Sequence, residues 1–213
     1  MALFGFGKPK LPEDPQELYK LGKDYYNGNE RNKDFSMALK CFEKASEKGL
    51  GDATNYLAFM YRDGEGTKAD SAKAVQLFEK AFQQGRVSAA FSLGLLYSKG
   101  KHVPKDVEKS RLWYEKAAEL GHAGSMCNLG VIYGNGEGVP ANQEKKRYWY
   151  EKAAAAGSAV AQYNLAVIYK NGQDVPRDLV KALYWAQKSA DSGDKDAPEL
   201  LEQIEKMQQS QEY

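Results

Sequence analysis

Residues 126–157 open Met126-Cys127-Asn128-Leu129-Gly130-Val131-Ile132-Tyr133 and turn through Gly134-Asn135-Gly136-Glu137-Gly138-Val139-Pro140. They close on Trp149-Tyr150-Glu151-Lys152-Ala153-Ala154-Ala155-Ala156-Gly157. Alone, this is two helical patterns around a glycine-rich turn. Its copies decide the fold. The tyrosine recurs as Tyr25, Tyr61, Tyr97, Tyr133 and Tyr169, each 36 residues after the last. The turn glycine recurs as Gly28, Gly64, Gly100, Gly136 and Gly172, and the closing glycine as Gly49, Gly85, Gly121, Gly157 and Gly193. Five copies without insertion or deletion make this a repeat protein.

Within each copy the first helix carries apolar or small residues at i, i+3, i+4 and i+7, such as Met126, Leu129, Gly130 and Tyr133. The leucine does not vary, and the residue after it is glycine or alanine: Gly22, Ala58, Gly94, Gly130, Ala166. A glycine inside a helix costs about 0.5–1 kcal/mol relative to alanine. Its exchange with alanine therefore points to close approach by a neighbour and not to a special backbone angle. The unvarying turn glycines fit left-handed helix ends. Asp34, Asp70, Asp106, Asn142 and Asp178 stand where an acceptor can cap the second helix. That helix shows its apolar face best as Ala182, Trp185, Ala186, Ser189 and Ala190. After Gly193 the pattern restarts at Ala197, and Leu200, Leu201, Ile204 and Met207 form one stripe with Glu202 and Glu205 behind it, which predicts a capping helix.

The expected layout is a flexible tail over 1–12 and one repeat domain over 13–209. Its repeats span about 15–50, 51–86, 87–122, 123–158 and 159–194, with a capping helix at 195–209 and a frayed end at 210–213. Phe4 and Phe6 in the tail have a second reading, docking on the first repeat or on a partner.

Lys plus Arg is 30 and Asp plus Glu is 29, so the net charge of +1 gives no electrostatic reason for nucleic acid or an anionic membrane. No run reaches the roughly 20 apolar residues of a membrane span, so membrane insertion is not expected. Cys41 and Cys127 form no disulfide framework and suit a reducing, cytoplasmic compartment. The start of the chain lacks the apolar core of a secretory signal.

The pattern Leu-Gly-x-x-Tyr-x-x-Gly-x-Gly-Val-x-x-Asp-x-x-Lys-Ala-x-x-Trp-Tyr-x-Lys-Ala-Ala-x-x-Gly resembles the Sel-1-like repeat, a longer relative of the tetratricopeptide repeat. Leu129-Gly130, Tyr133, Gly136, Gly138-Val139, Asn142, Lys145, Trp149-Tyr150, Lys152-Ala153-Ala154 and Gly157 carry it most fully. Repeats one and two are looser, with Cys41 and Leu77 in place of tryptophan. The resemblance implies an all-α fold, a right-handed α/α solenoid (superhelix) of five helix-turn-helix repeats plus a C-terminal capping helix. It also implies a scaffold or adaptor for protein complexes.

Catalysis finds little to work with. His102 reads as a tolerant turn position, and His122 as a loop residue in solvent. Neither has an acid, serine or cysteine at a triad-like spacing. The cysteines do not cluster as zinc requires. No catalytic residue, cofactor site or metal site is therefore expected. The columns Lys44, Lys80, Lys116, Lys152, Lys188 and Glu43, Glu79, Glu115, Glu151 read together as a solvated face whose lysine stems cover apolar surface.

In tetratricopeptide-like arrays the first helices line the concave face. On that implication one row holds Tyr19, Asn55, Phe91, Cys127 and Tyr163. The next holds Lys23, Phe59, Leu95, Val131 and Val167, and a third holds Lys20, Tyr56, Ser92, Asn128 and Asn164. Tyr19, Lys23, Asn55, Phe59, Phe91, Asn128, Tyr163 and Asn164 are the partner-binding candidates. Core packing is the competing reading and is preferred for the second row, exposure for Tyr19, Phe91 and Tyr163. The main functional expectation is a non-enzymatic module that binds a peptide or helix of a partner protein in the concave groove. Two others stand beside it: a hydrolase or enzyme-associated regulator with an unrecognised site, and a homo-oligomer formed through the uncovered face of the first repeat.

Overall fold

The computed structural model describes residues 11–29 and 31–210. The two readings of Phe4 and Phe6 lie outside the described residues. Eleven helices and no strand occur among the described residues. The first helices of the five repeats are α1 (Pro15–Asn27), α3 (Gly51–Asp63), α5 (Val87–Lys99), α7 (Ala123–Asn135) and α9 (Ala159–Asn171). The second helices are α2 (Phe35–Glu47), α4 (Ser71–Gln83), α6 (Val107–Glu119), α8 (Gln143–Ala155) and α10 (Leu179–Asp191), and α11 (Ala197–Gln209) follows. The fold is an all-α repeat architecture.

The chain divides into two compact units. One runs to Leu96 and includes Gly100–Pro104; the other holds Tyr97–Lys99 and the chain from Lys105 onward. In the first unit α1 packs on α2, α2 on α3 and α3 on α4; in the second the same order continues from α6 to α11.

The local signals act as the sequence predicts. Gly136 ends α7 at φ 71 and Gly157 follows α8 at φ 86, and every counterpart in the other repeats is also left-handed. The five second helices are capped alike: Asp34, Asp70, Asp106, Asn142 and Asp178 accept from the backbone N–H three residues on, at 2.8–3.0 Å. Gly22 and Gly130 are glycine for the expected reason. A Cβ would stand 2.7 Å from Phe42 Cε1 at the first and 2.5 Å from Tyr150 Cε1 at the second. Where repeat five has Ala166 the equivalent of the ring is Ala186, so a methyl is accommodated where no ring stands opposite it.

The core is a ladder of alanine, leucine and aromatic residues. Leu57, Leu93, Leu129 and Leu165 are buried. Leu21 is only half-buried, and the same face of α1 carries Glu17 and Asp24 where later repeats have small or apolar residues. At the other end α11 buries Ala197, Leu200 and Ile204 against Ala166, Leu179, Ala182 and Ala186. Glu202 and Glu205 face solvent, as a capping helix requires.

Three expectations need correction. His122 is the N-cap of α7: its Nδ1 accepts from the Ser125 N–H at 3.1 Å, and the ring is half-buried. An imidazole nitrogen with a lone pair performs there what Ser158 Oγ does for α9. The acidic column is not simply solvated, since Glu43 accepts from Tyr61 Oη at 3.1 Å and Glu115 from Tyr133 Oη at 3.3 Å. The turn position of His102 is not freely tolerant either. Gly66, Gly138 and Asp174 are left-handed at that register, and a Cβ on Gly66 would meet the Phe35 carbonyl at 2.4 Å.

Candidate functional site

In the first unit α1 and α3 bring together Tyr19, Lys23, Tyr56 and Phe59, all half-buried. Their register puts them on neighbouring turns, and bulky rings at these positions extend beyond the close-packed helix seam. Tyr19 meets Tyr56 edge-on with centroids 5.7 Å apart, and Tyr26 does so at 5.8 Å. Tyr56 stacks on the buried Phe42 at 5.1 Å. Phe59 packs its edge against Phe78 at 4.9 Å.

Cations stand over this aromatic floor. Lys23 Nζ lies 5.6 Å from the Tyr19 ring centroid, and the Arg62 guanidinium 4.8 Å from that of Phe59. Arg62 is fixed by two bonds to the Asp63 carboxylate, at 2.8 and 2.6 Å. That fork holds the Asp63 carboxyl below its usual range. Arg86 pairs with Asp52 at 2.9 Å. Burial pushes the Tyr19 and Tyr26 phenols up to about 12, and Tyr26 donates to Glu65 Oε2 at 2.7 Å. The phenols stay neutral, so the surface offers flat apolar area, fixed positive charge and hydroxyls.

Asn55 departs from its expected place. It is only 7% exposed, and its Oδ1 finds no hydrogen-bond partner within the protein. An asparagine is too short to emerge where Tyr19 and Phe91, in the same row, remain half-exposed. Tyr56 and Tyr26 belong to the surface more fully than the sequence indicated. Tyr56 was legible as the lone aromatic of its row, whereas Tyr26 follows the repeat tyrosine and is hidden by it.

In the second unit the candidates divide. Tyr163 and Val167 pack against the cluster formed by Ala166, Leu179 and Ala182. Asn128 lies within hydrogen-bonding reach of the Tyr114 hydroxyl, whose burial raises its pKa. Asn164 is half-buried, and Cys127 Sγ lies 3.1 Å from Ser158 Oγ. Val131 is 41% exposed, against the expectation that it is core, because it sits one residue beyond the close-packed Gly130 and turns away from the ring that Gly130 accommodates. Among the described residues no three His, Cys, Asp or Glu side chains converge, and no helix is long and apolar enough to cross a membrane.

Comparison with known proteins settles the lineage of these repeats. The Sel1 repeat model matches residues 18–50, 51–85, 87–122, 123–158 and 159–194. The chain belongs to the Sel1 repeat family. A Sel1 repeat protein from Oxalobacter formigenes superposes with a TM-score of 0.76 at 28% identity, covering 96% of this chain and 91% of that one. The Escherichia coli protein c5321, a protective antigen of uropathogenic strains, gives a TM-score of 0.53 at 30% identity. The match covers 88% of this chain and 48% of c5321. The immunity protein Pa5087 of Pseudomonas aeruginosa, at 23% identity and a TM-score of 0.56, shares the fold over 89% of this chain and 70% of its own. A search of curated protein sequences gives no match. Proteins of the Sel1 repeat family generally mediate protein–protein interaction, which is a property of the family and leaves the partner open.

Proposed function

We propose that this chain is a non-catalytic interaction module that binds an extended or helical segment of a partner protein on its first-helix faces. The observation that carries the reading is the aromatic floor of the first unit, where Tyr19, Tyr56 and Phe59 remain half-exposed beneath Lys23 and Arg62. Aromatic and arginine side chains dominate interface energetics, the rings because they give large contact area with few torsions to fix and arginine because its planar fork of donors pairs and stacks. Phe91 extends the same row, and in the second unit Tyr163, Asn128 and Asn164 occupy the corresponding register.

The test is affinity capture with the intact chain and with Lys23→Glu combined with Tyr56→Ser. The variant is expected to lose the partner that the parent retains while keeping its helical circular dichroism. Recovery of the same partner in the same amount would overturn the assignment of this face.

A further inference from the structure

Lys80 and Lys188 occupy one register of the repeat, Ser46 and Ala154 another, and Thr54 and Gln162 a third. In repeat two these positions form a closed polar cluster. Lys80 Nζ donates to Ser46 O and to Ser46 Oγ, both at 3.3 Å, and Thr54 Oγ1 donates to Ser46 Oγ at 2.8 Å. The end of α2 is thus met by an ammonium group of the chain itself. Repeat three uses its lysine differently, with Lys116 Nζ 4.0 Å from the Trp113 ring centroid.

Repeat five lacks the arrangement of repeat two. Gln162 donates Nε2 to Ala154 O at 3.2 Å, but its Oε1 finds no partner within the protein although the residue is only 4% exposed. Lys188 turns to Tyr184 instead, its Nζ 5.9 Å from that ring centroid. Gln162, Tyr184, Trp185, Lys188 and Asp191 line a cleft of about 490 Å³. Ala154 and Ala155 at the end of α8, and Asp191 and Ser192 at the end of α10, bring two helix C-termini to its wall. Those ends carry partial negative charge. Asp191 adds a carboxylate, one oxygen of which accepts from Gln187 at 2.9 Å.

We propose that this cleft receives a primary ammonium or guanidinium group from a ligand, in the role that Lys80 fills at the end of α2. The acceptors are Gln162 Oε1 and the Asp191 carboxylate, in the partial negative field of the two helix ends, and Trp185 and Tyr184 supply aromatic faces. Lys188 is the internal competitor. The cleft lies within the second unit, so the inference is independent of the first-unit surface, and the failure of either leaves the other standing.

The indole N–H resonance of Trp185, assigned through Trp185→Phe, reports binding in the full chain. A short peptide alternating lysine and glycine should shift it saturably, and the same peptide with norleucine for lysine should not. Asp191→Asn should weaken the lysine peptide by about fivefold to tenfold. Lys188→Met should tighten it. Putrescine is titrated in parallel. Tighter binding of the peptide assigns the group to a protein side chain, tighter binding of putrescine assigns it to a free amine, and both keep the cationic assignment. No shift with either probe, an equal shift with the norleucine peptide, or unchanged affinity in Asp191→Asn overturns it.

Discussion

Tyr61 donates its hydroxyl to Glu43 of the preceding repeat at 3.1 Å and accepts from Lys73 of its own repeat at 2.6 Å. The Lys73 ammonium also lies 3.8 Å from the Tyr61 ring centroid. In the second unit Tyr133 reaches Glu115 at 3.3 Å, with Lys145 4.9 Å from its ring centroid. The repeat tyrosine is therefore a tie between successive repeats as well as an apolar wedge. Tyr61→Phe keeps the wedge and removes the tie, and should cost about 1 kcal/mol in urea unfolding. Tyr61→Ala removes both and should cost about 3–5 kcal/mol. Equal losses for the two variants would mean that the hydroxyl network contributes nothing.

Gly130 tests the close-approach argument. Alanine is the better helix former by about 1 kcal/mol, so an open helix would be stabilised by Gly130→Ala. Here the new methyl meets the Tyr150 ring at 2.5 Å, and overpacking of this kind costs about 1–3 kcal/mol. Destabilisation is the expected outcome. Combining it with Tyr150→Ala recreates the Ala166 and Ala186 pairing of repeat five, so the double variant should lose less than the sum of the single losses. Strict additivity would separate the two residues.

His122 gives the second unit a pH response. Burial lowers its pKa, and the cap of α7 needs Nδ1 unprotonated. The unfolded chain therefore binds the proton more readily than the folded one, and stability rises with pH through this range. The stabilisation is complete above the ordinary histidine value of 6.5 and is lost as pH falls through the lowered folded value. His122→Asn retains an uncharged cap acceptor and should remove this part of the acid sensitivity. Denaturation at pH values on both sides of 6.5 checks it; an unchanged profile in the variant would place the sensitivity elsewhere.

The fold was legible because its determinants are local and periodic. Gly136, Gly157 and Asn142 each act within a few residues of their own position, and the 36-residue spacing repeats that information five times. The size argument at Gly130 was also legible, because its exchange with alanine appears inside the chain. The candidate surface was read less completely. Lys23 does lie over the Tyr19 ring, but whether Asn55 emerges or ends inside the packing depends on the distance between helices, which sequence spacing does not give. Glu43 looked like any solvated acid because its partner, Tyr61, lies in the next repeat, and His122 looked like a loop residue because histidine is an uncommon cap.

The end of the array tests whether α11 is a true cap. Leu200 and Ile204 are buried against Ala166, Leu179, Ala182 and Ala186, a face that an internal repeat would present to the next first helix. A repeat array unfolds from its weakest boundary, so loss of cap packing should loosen repeat five before the rest. Leu200→Ala should cost about 2–5 kcal/mol, with the earliest gain in hydrogen exchange in α10 and α11. Leu201→Ala, at a half-buried position on the same helix, should cost less. If exchange rose first in α8 and α9 instead, α11 would be an appendage and the boundary of cooperativity would lie deeper in the second unit.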